Sequence, residues 1–224
     1  MDPTFLLAFP LLLALSTPCN ACVCKLLHPQ SIYCLTDVVI IVDILGPGQI
    51  SGARRTFQVN VTKVLKAPKG TREIHYIYTP RRVENCGYTV VNSHQSELLI
   101  AGYLVVGKVY FTKCHLFYFW NQLTIHQQLG FQSVYDAGCN CQILPCYLCW
   151  RICPEPDVTD CLWKQTECDY SIWRGDESLF STCVPSTSGR CEWNRISLHL
   201  SNTTTSPNSS LTTTLPSSSL TPLP

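Results

Sequence analysis

Charge is scarce and nearly balanced in this chain: sixteen Lys and Arg face fifteen Asp and Glu in 224 residues. Such a balance leaves no basic footprint for nucleic acid. No stretch reaches the roughly twenty continuous apolar residues that a membrane-spanning helix needs. No Ser-His-Asp, Cys-His or paired-carboxylate arrangement stands out, so the sequence offers no enzyme chemistry. Lys and Arg are also missing ahead of the apolar run Phe5 to Leu15. That run is still followed by Ser16-Thr17-Pro18-Cys19-Asn20-Ala21, whose small residues at Cys19 and Ala21 suit signal peptidase. Residues 1–21 therefore read as a signal peptide, and the mature protein is expected to be secreted, extracellular and soluble.

Cysteine, by contrast, is abundant. Fifteen in the chain is far too many for a reducing cytosol and points to the oxidising secretory route. Cleavage after Ala21 removes Cys19 and leaves fourteen, an even number that can pair completely. It also makes Cys22 the new amino terminus, at the head of Cys22-Val23-Cys24. Two readings of this C-x-C stand side by side. It either staples a small secreted domain, or it presents a free α-amine beside a backbone carbonyl as a rigid bidentate ligand for another protein's metal. The cysteine density favours two small cores that need staples over one large one.

From Asp37 onwards the text is strand-like. Val38 to Leu45 is β-branched and apolar, and Gly46-Pro47-Gly48 stops it. Arg55 to Leu65 alternates, with Phe57, Val59 and Val61 on one face and Gln58, Asn60 and Thr62 on the other. Ile74 to Tyr78, Glu97 to Val106 and Lys108 to Cys114 complete five predicted strands joined by short turns. A mainly β fold follows, an OB-fold five-stranded barrel. One short helix, predicted over Phe119 to Phe131 with a stop at Gly130, closes it. After Cys139 the cysteines crowd together, and the second unit reads as disulfide-rich with no strands that periodicity can draw. Ser201 to Pro224 is almost all Ser, Thr, Pro and Asn and cannot bury a core. The expected division is a signal peptide over 1–21, a barrel domain over 22–140, a disulfide-rich domain over 141–200 and a disordered tail over 201–224. N-x-[ST] occurs at Asn60, Asn202 and Asn208, the first on the polar face of a predicted strand and the other two in the tail.

The run Cys22-Val23-Cys24-Lys25-Leu26-Leu27-His28-Pro29-Gln30-Ser31-Ile32-Tyr33-Cys34 resembles the opening of the tissue inhibitors of metalloproteinases. The resemblance continues through Asp37 to Ile41, Tyr78-Thr79-Pro80, Cys86-Gly87-Tyr88, Leu99-Ile100-Ala101-Gly102 and Trp120-Asn121-Gln122-Leu123. Gly138-Cys139-Asn140-Cys141, Cys161-Leu162-Trp163 and Cys191-Glu192-Trp193 follow in order. It covers roughly Cys22 to Trp193. It implies bridges from Cys22 to Cys86, Cys24 to Cys114 and Cys34 to Cys139 in the first domain. In the second it implies Cys141 to Cys191, Cys146 to Cys153 and Cys161 to Cys183. Cys149 and Cys168 lie outside the family pattern. They are read as bonding each other, with a free thiol or an intermolecular bridge as the alternatives.

The resemblance implies a protease inhibitor with no cofactor of its own, acting as a monomer on zinc metalloproteinases of the matrix type. A catalytic zinc keeps one position open for the water that attacks the substrate. The Cys22 amine and carbonyl would take that position and chelate the target's zinc. Val23 would enter the pocket for the side chain just after the scissile bond, where family members usually carry Thr or Ser. Losing that hydroxyl forgoes a hydrogen bond of about 0.5–1.5 kcal/mol, so selectivity is expected to change. Lys25 and the segment Val83-Glu84-Asn85, joined to Cys22 through Cys86, would complete the contact. Glu84 either lies beside the enzyme's catalytic carboxylate or is solvated. Leu26 and Leu27 stand where the family often has Pro, so the chain leaving the chelate is less constrained. His28 is read as supporting the segment structurally rather than as a metal ligand. The alternative is a divergent, non-inhibitory secreted interaction or signalling module on the same fold.

Overall fold

Val38–Ile44 is apolar almost throughout, without the alternation of a half-exposed strand, and the computed structural model shows that both of its faces are covered. The structure describes residues 22–89, 95–148, 153–165 and 173–198. The proposed signal segment, the tail, Cys149, Cys168, Asn202 and Asn208 lie outside the described residues.

The strands are β1 (Val38–Ile44), β2 (Gln49–Ser51), β3 (Arg54–Lys66), β4 (Tyr76–Pro80), β5 (Gln95–Val105), β6 (Lys108–Tyr110) and β7 (Leu116–Phe119). Five of them close on themselves. β1 pairs with β3, β3 with β4, β4 with β6 in parallel, β6 with β5, and β5 returns to β1, with Ile40 opposite both Val64 and Ile100. The chain is thus a mainly β protein built on a closed five-stranded barrel of the OB type. β2 extends β3 at one end, and β7 extends β5 outside the ring.

Alternation decides which side chains go where. Val38, Ile40, Val42 and Ile44 of β1 meet Phe57, Val59, Ile77, Leu98, Ile100, Val109 and Phe111 inside the barrel. The opposite face of β1 and β5 puts Val39, Ile41, Leu99 and Ala101 into a second cluster, shared with Cys141, Ile143, Cys161, Trp163, Trp173, Cys183 and Ile196 of the second unit. The second core is therefore a seam between the two units. β3 has no such cover, and its Gln58, Asn60 and Thr62 are exposed.

Two local expectations need correction. The helix does not begin at Phe119, because Phe119 is still paired with Leu98 in β7. Trp120–Gln122 forms a 3-10 turn, and the α-helix runs over Ile125–Leu129. Thr124 caps it: its Oγ1 accepts from the Gln127 N–H at 3.1 Å while Gln127 Oε1 accepts from the Thr124 N–H at 2.9 Å, a capping box. Gly130 does not stop the helix. The chain continues through a π-helical turn, Gly130–Val134, and a Cβ on Gly130 would run into the Tyr135 ring. The second correction is a helix at Pro29–Leu35 that the sequence reading did not anticipate, started by Pro at its first position. Lys66 closes its other end by donating to the Tyr33 and Cys34 carbonyls at 2.7 and 3.3 Å.

The second unit pairs β8 (Gln142–Tyr147) with β9 (Asp160–Gln165) in parallel, and β10 (Ser181–Pro185) with β11 (Cys191–Arg195) as a hairpin. Between them lies a short helix, Asp176–Phe180. The Cys141–Cys191 and Cys161–Cys183 disulfides tie one pair to the other, Cys146–Cys153 closes the end of β8, and Cys34–Cys139 joins the Pro29–Leu35 helix to the end of the barrel domain.

Candidate functional site

Cys22, Val23 and Cys24 have no regular secondary structure, and disulfides fix them at both ends. Cys22 is bonded to Cys86 and Cys24 to Cys114, with Cα separations of 5.1 and 4.9 Å. The two bridges lie against each other, Cys22 Sγ being 3.3 Å from Cys114 Sγ. All four sulfurs fall within 4.8 Å of one another, yet, joined in pairs, they offer no thiolate to a metal. Between the bridges Val23 stands 88% exposed, an apolar side chain held away from the protein by rigid covalent anchors.

The Cys22–Cys86 bridge brings the second segment alongside. Val83–Asn85 is a single 3-10 turn, and Cys86 follows in the left-handed region at φ 61°. That conformation is uncommon for a residue with a Cβ. Here it is held by the Cys86 N–H donating to Val83 O at 3.0 Å and by Lys113 N–H donating to Cys86 O at 2.9 Å. Gly87 comes next because nothing larger fits: a Cβ there would run into the Pro80 carbonyl oxygen at the end of β4. The turn is thereby seated on the ends of the barrel strands, with Val83, Glu84 and Asn85 all exposed. Lys25 is exposed on the other side of Cys24. Together the two disulfide-joined segments make an exposed ridge. The barrel groove of about 280 Å³ lined by Val59, Asn60, Ala67 and His75 lies apart from the ridge residues.

Behind the ridge, the strap Lys25-Leu26-Leu27 runs to His28, which is buried. Its Nδ1 accepts from the Gln30 N–H at 3.1 Å and caps the Pro29–Leu35 helix, which leaves Nε2–H to donate to the Glu177 carbonyl at 2.9 Å. Both ring nitrogens are thus occupied, and the ring packs against Trp163 and Trp193 at 5.4 and 5.2 Å. Burial disfavours the charged form and lowers the pKa to about 4. His28 is therefore a neutral structural link and not a metal ligand.

Sequence reasoning missed three residues that hold this region. Gln30 is buried and uses its whole amide: Nε2 donates to Gly138 O and Cys183 O at 2.9 and 2.7 Å, and Oε1 accepts from Thr182 Oγ1 and Cys183 N–H at 2.9 and 2.8 Å. Thr182 is the second. Trp173, the third, donates its indole N–H to the Leu27 carbonyl at 2.8 Å. The available signal was a Gln in a short segment rich in apolar residues, Pro29-Gln30-Ser31-Ile32-Tyr33-Cys34-Leu35. Asn60, the described glycan candidate, is exposed on the outer face of β3.

Comparison of the sequence with known proteins finds relatives. Residues 20–193 match the family described as tissue inhibitor of metalloproteinase. The chain is 31% identical over 186 residues to "Metalloproteinase inhibitor 3" of Xenopus laevis, covering 81% of this chain and 84% of that protein. It is 31% identical over 198 residues to "Metalloproteinase inhibitor 3" of Scyliorhinus torazame, covering 84% and 90%. It is 30% identical over 200 residues to "Metalloproteinase inhibitor 2" of Homo sapiens, covering 83% and 86%.

Proposed function

The chain belongs to the tissue inhibitor of metalloproteinase family, and from that premise we propose that its ridge enters the active-site cleft of a zinc metalloendopeptidase and caps the metal. Its role is that of a metalloproteinase inhibitor and not of an enzyme. The observation that carries the finer reading is the exposed Val23 between two adjacent disulfides, with Val83–Asn85 bound to the same bridge.

Removal of residues 1–21 frees the Cys22 α-amine. Its reference pKa is near 8, so a usable fraction is neutral at physiological pH, and the metal favours the unprotonated ligand. The amine and the Cys22 carbonyl oxygen together displace the water that the protease uses as nucleophile, and hydrolysis stops. Val23 fills the adjoining side-chain pocket, while Lys25, Val83, Glu84 and Asn85 contact its rim. The anchors at Cys22 and Cys24 fix the ligand before binding, so little ordering entropy opposes association. The zinc is the target's own. Secretion, inhibitory action through the 22–140 unit, an auxiliary 141–200 unit, and glycosylation at Asn60, Asn202 and Asn208 belong to the same proposal.

The test is inhibition of a panel of zinc endopeptidases by secreted protein beginning at Cys22, beside a version with one extra Ala before Cys22. The added residue leaves the fold alone and moves the free amine off the chelating position. Inhibition that disappears with the extra Ala is the expected result. No inhibition by correctly processed, fully bridged protein would leave the non-inhibitory module as the reading.

A further inference from the structure

The two disulfides under the ridge fix where Cys22 and Cys24 sit, but their sulfurs are only 3.3 Å apart at Cys22 and Cys114. Two anchors that close define a short axis. Rotation of the Cys22-Val23-Cys24 backbone about it would swing Val23 and the Cys22 carbonyl together, and a third point of attachment on the strap restricts that rotation further. Among the described residues such a point is available where the chain leaves Cys24. Lys25-Leu26-Leu27 has no regular secondary structure and contains no proline to restrain it.

The third point comes from the other unit. Trp173 is buried, its ring stacked on Tyr118 at 4.4 Å and 14°, and its indole N–H donates to the Leu27 carbonyl at 2.8 Å. An indole is a donor only, so this bond has one polarity and one partner. One residue on, His28 donates to the Glu177 carbonyl of the helix Asp176–Phe180, so two successive residues of the strap's end are held by the same region of the second unit. Tyr118 lies in β7 of the barrel domain, so the stack fixes Trp173 against the scaffold that also carries Cys114.

We propose that Trp173 is a positioning residue for the inhibitory ridge: through the Leu27 carbonyl it fixes the strap, and so the direction in which Val23 and the Cys22 chelate point. The proposal rests on the zinc-capping reading above. It leaves the inhibitory contacts in the 22–140 unit and gives the auxiliary 141–200 unit a supporting part, since a strap held before binding loses less ordering entropy on association.

The experiment uses the full chain beginning at Cys22 and its Trp173→Phe variant, which keeps a ring on Tyr118 and removes only the donor. Tyr118→Leu, which disturbs the stack and keeps the donor, is the companion. Two quantities are read: amide hydrogen exchange along residues 23–27 and across β1 and β5, and the association and dissociation rates with a matrix-type zinc endopeptidase. For Trp173→Phe the expected result is about tenfold faster exchange in the strap with β1 and β5 unchanged. Inhibition should weaken about five- to tenfold, chiefly through faster dissociation. Tyr118→Leu should lower thermal stability more and loosen the strap less. Unchanged inhibition, unchanged strap exchange, or the same pattern of loss from both variants would overturn the proposal. If the unmutated protein does not inhibit at all, the zinc-capping reading falls, and the exchange data still decide whether Trp173 holds the strap.

Discussion

Inside the barrel, Ile40, Val42, Phe57, Leu98, Ile100 and Phe111 pack hydrocarbon on hydrocarbon with no cysteine among them. Across the outer face of the same two strands, Val39, Ile41, Leu99 and Ala101 meet three cystine sulfurs and two tryptophans, and beside them lie buried His28, Gln30, Gln127 and Ser178. The difference separates stability from specificity. Aliphatic packing tolerates many arrangements of similar volume, whereas Gln30 can satisfy its amide only if Gly138, Thr182 and Cys183 arrive in one geometry. A polar seam of this kind sets how the second unit docks, and the strap behind the ridge passes straight through it. Gln127 repeats the device, donating to Ser178 O at 3.0 Å while Thr124 Oγ1 donates to Leu179 O at 2.6 Å.

The comparison can be broken from either side. Phe57→Ala empties the middle of the barrel and should cost about 4 kcal/mol, the range for removing a buried aromatic ring. Urea unfolding of the bridged protein measures it, and the loss should appear in the barrel and seam alike because both hang on β1. Gln30→Leu comes next. It is nearly matched in volume, yet it strands four partners in a buried site, so about 3 kcal/mol is expected. A loss under about 1 kcal/mol would mean that the seam behaves as ordinary apolar packing. Strap exchange should rise in Gln30→Leu and stay level in an Ile100→Val control, which costs about 1 kcal/mol.

Titration sharpens the contrast, because no Asp, Glu, His, Lys or Arg is among the described buried residues of the barrel interior, against which the Tyr88 phenol packs half-buried. His28 has its folded pKa lowered to about 4 by burial, against about 6.5 when unfolded. The unfolded chain therefore binds the extra proton between those values. The stability contributed by neutral His28 is full above about pH 6.5 and is lost as pH falls towards 4, by about 3 kcal/mol in all. His28→Asn should remove that slope while leaving the carboxylate titrations, and the difference between the two pH profiles reads out the histidine alone. Parallel profiles would show that His28 is not the group that responds.

How much of this was legible in the sequence follows from the reach of each signal. The alternation of Phe57, Val59 and Val61 gave β3 its open outer face, and the unbroken apolar run of β1 marked a strand. That β1 is covered on both sides was not drawn from it, although a run without polar alternation is what such a strand needs. The Pro29–Leu35 helix was missed because its cap is His28 rather than Ser, Thr, Asp or Asn. Phe119 was assigned to a helix because its pairing with Leu98 is invisible locally. The ridge segments were named from the family resemblance, which implied the bridge from Cys22 to Cys86. The bonds that support them were not, since Gln30 and Cys183 stand 153 residues apart, and no periodicity spans that distance.

The smallest effect lies at the seam's edge. Thr124 both caps the Ile125–Leu129 helix and donates to Leu179 O, so its hydroxyl belongs to the barrel domain by one bond and to the second unit by another. Thr124→Ala loses both and should cost about 1–2 kcal/mol, whereas Thr124→Ser keeps the hydroxyl and should cost only a few tenths. A cap that served the helix alone would loosen exchange at Gln127 and Gln128 and nothing else. If the hydroxyl also ties the units, the same substitution loosens the amides of Phe180 and Ser181, which follow the carbonyl it holds. Exchange confined to Ile125–Leu129 would show that the docking is carried by the buried amides of Gln30 and Gln127 without help from this edge.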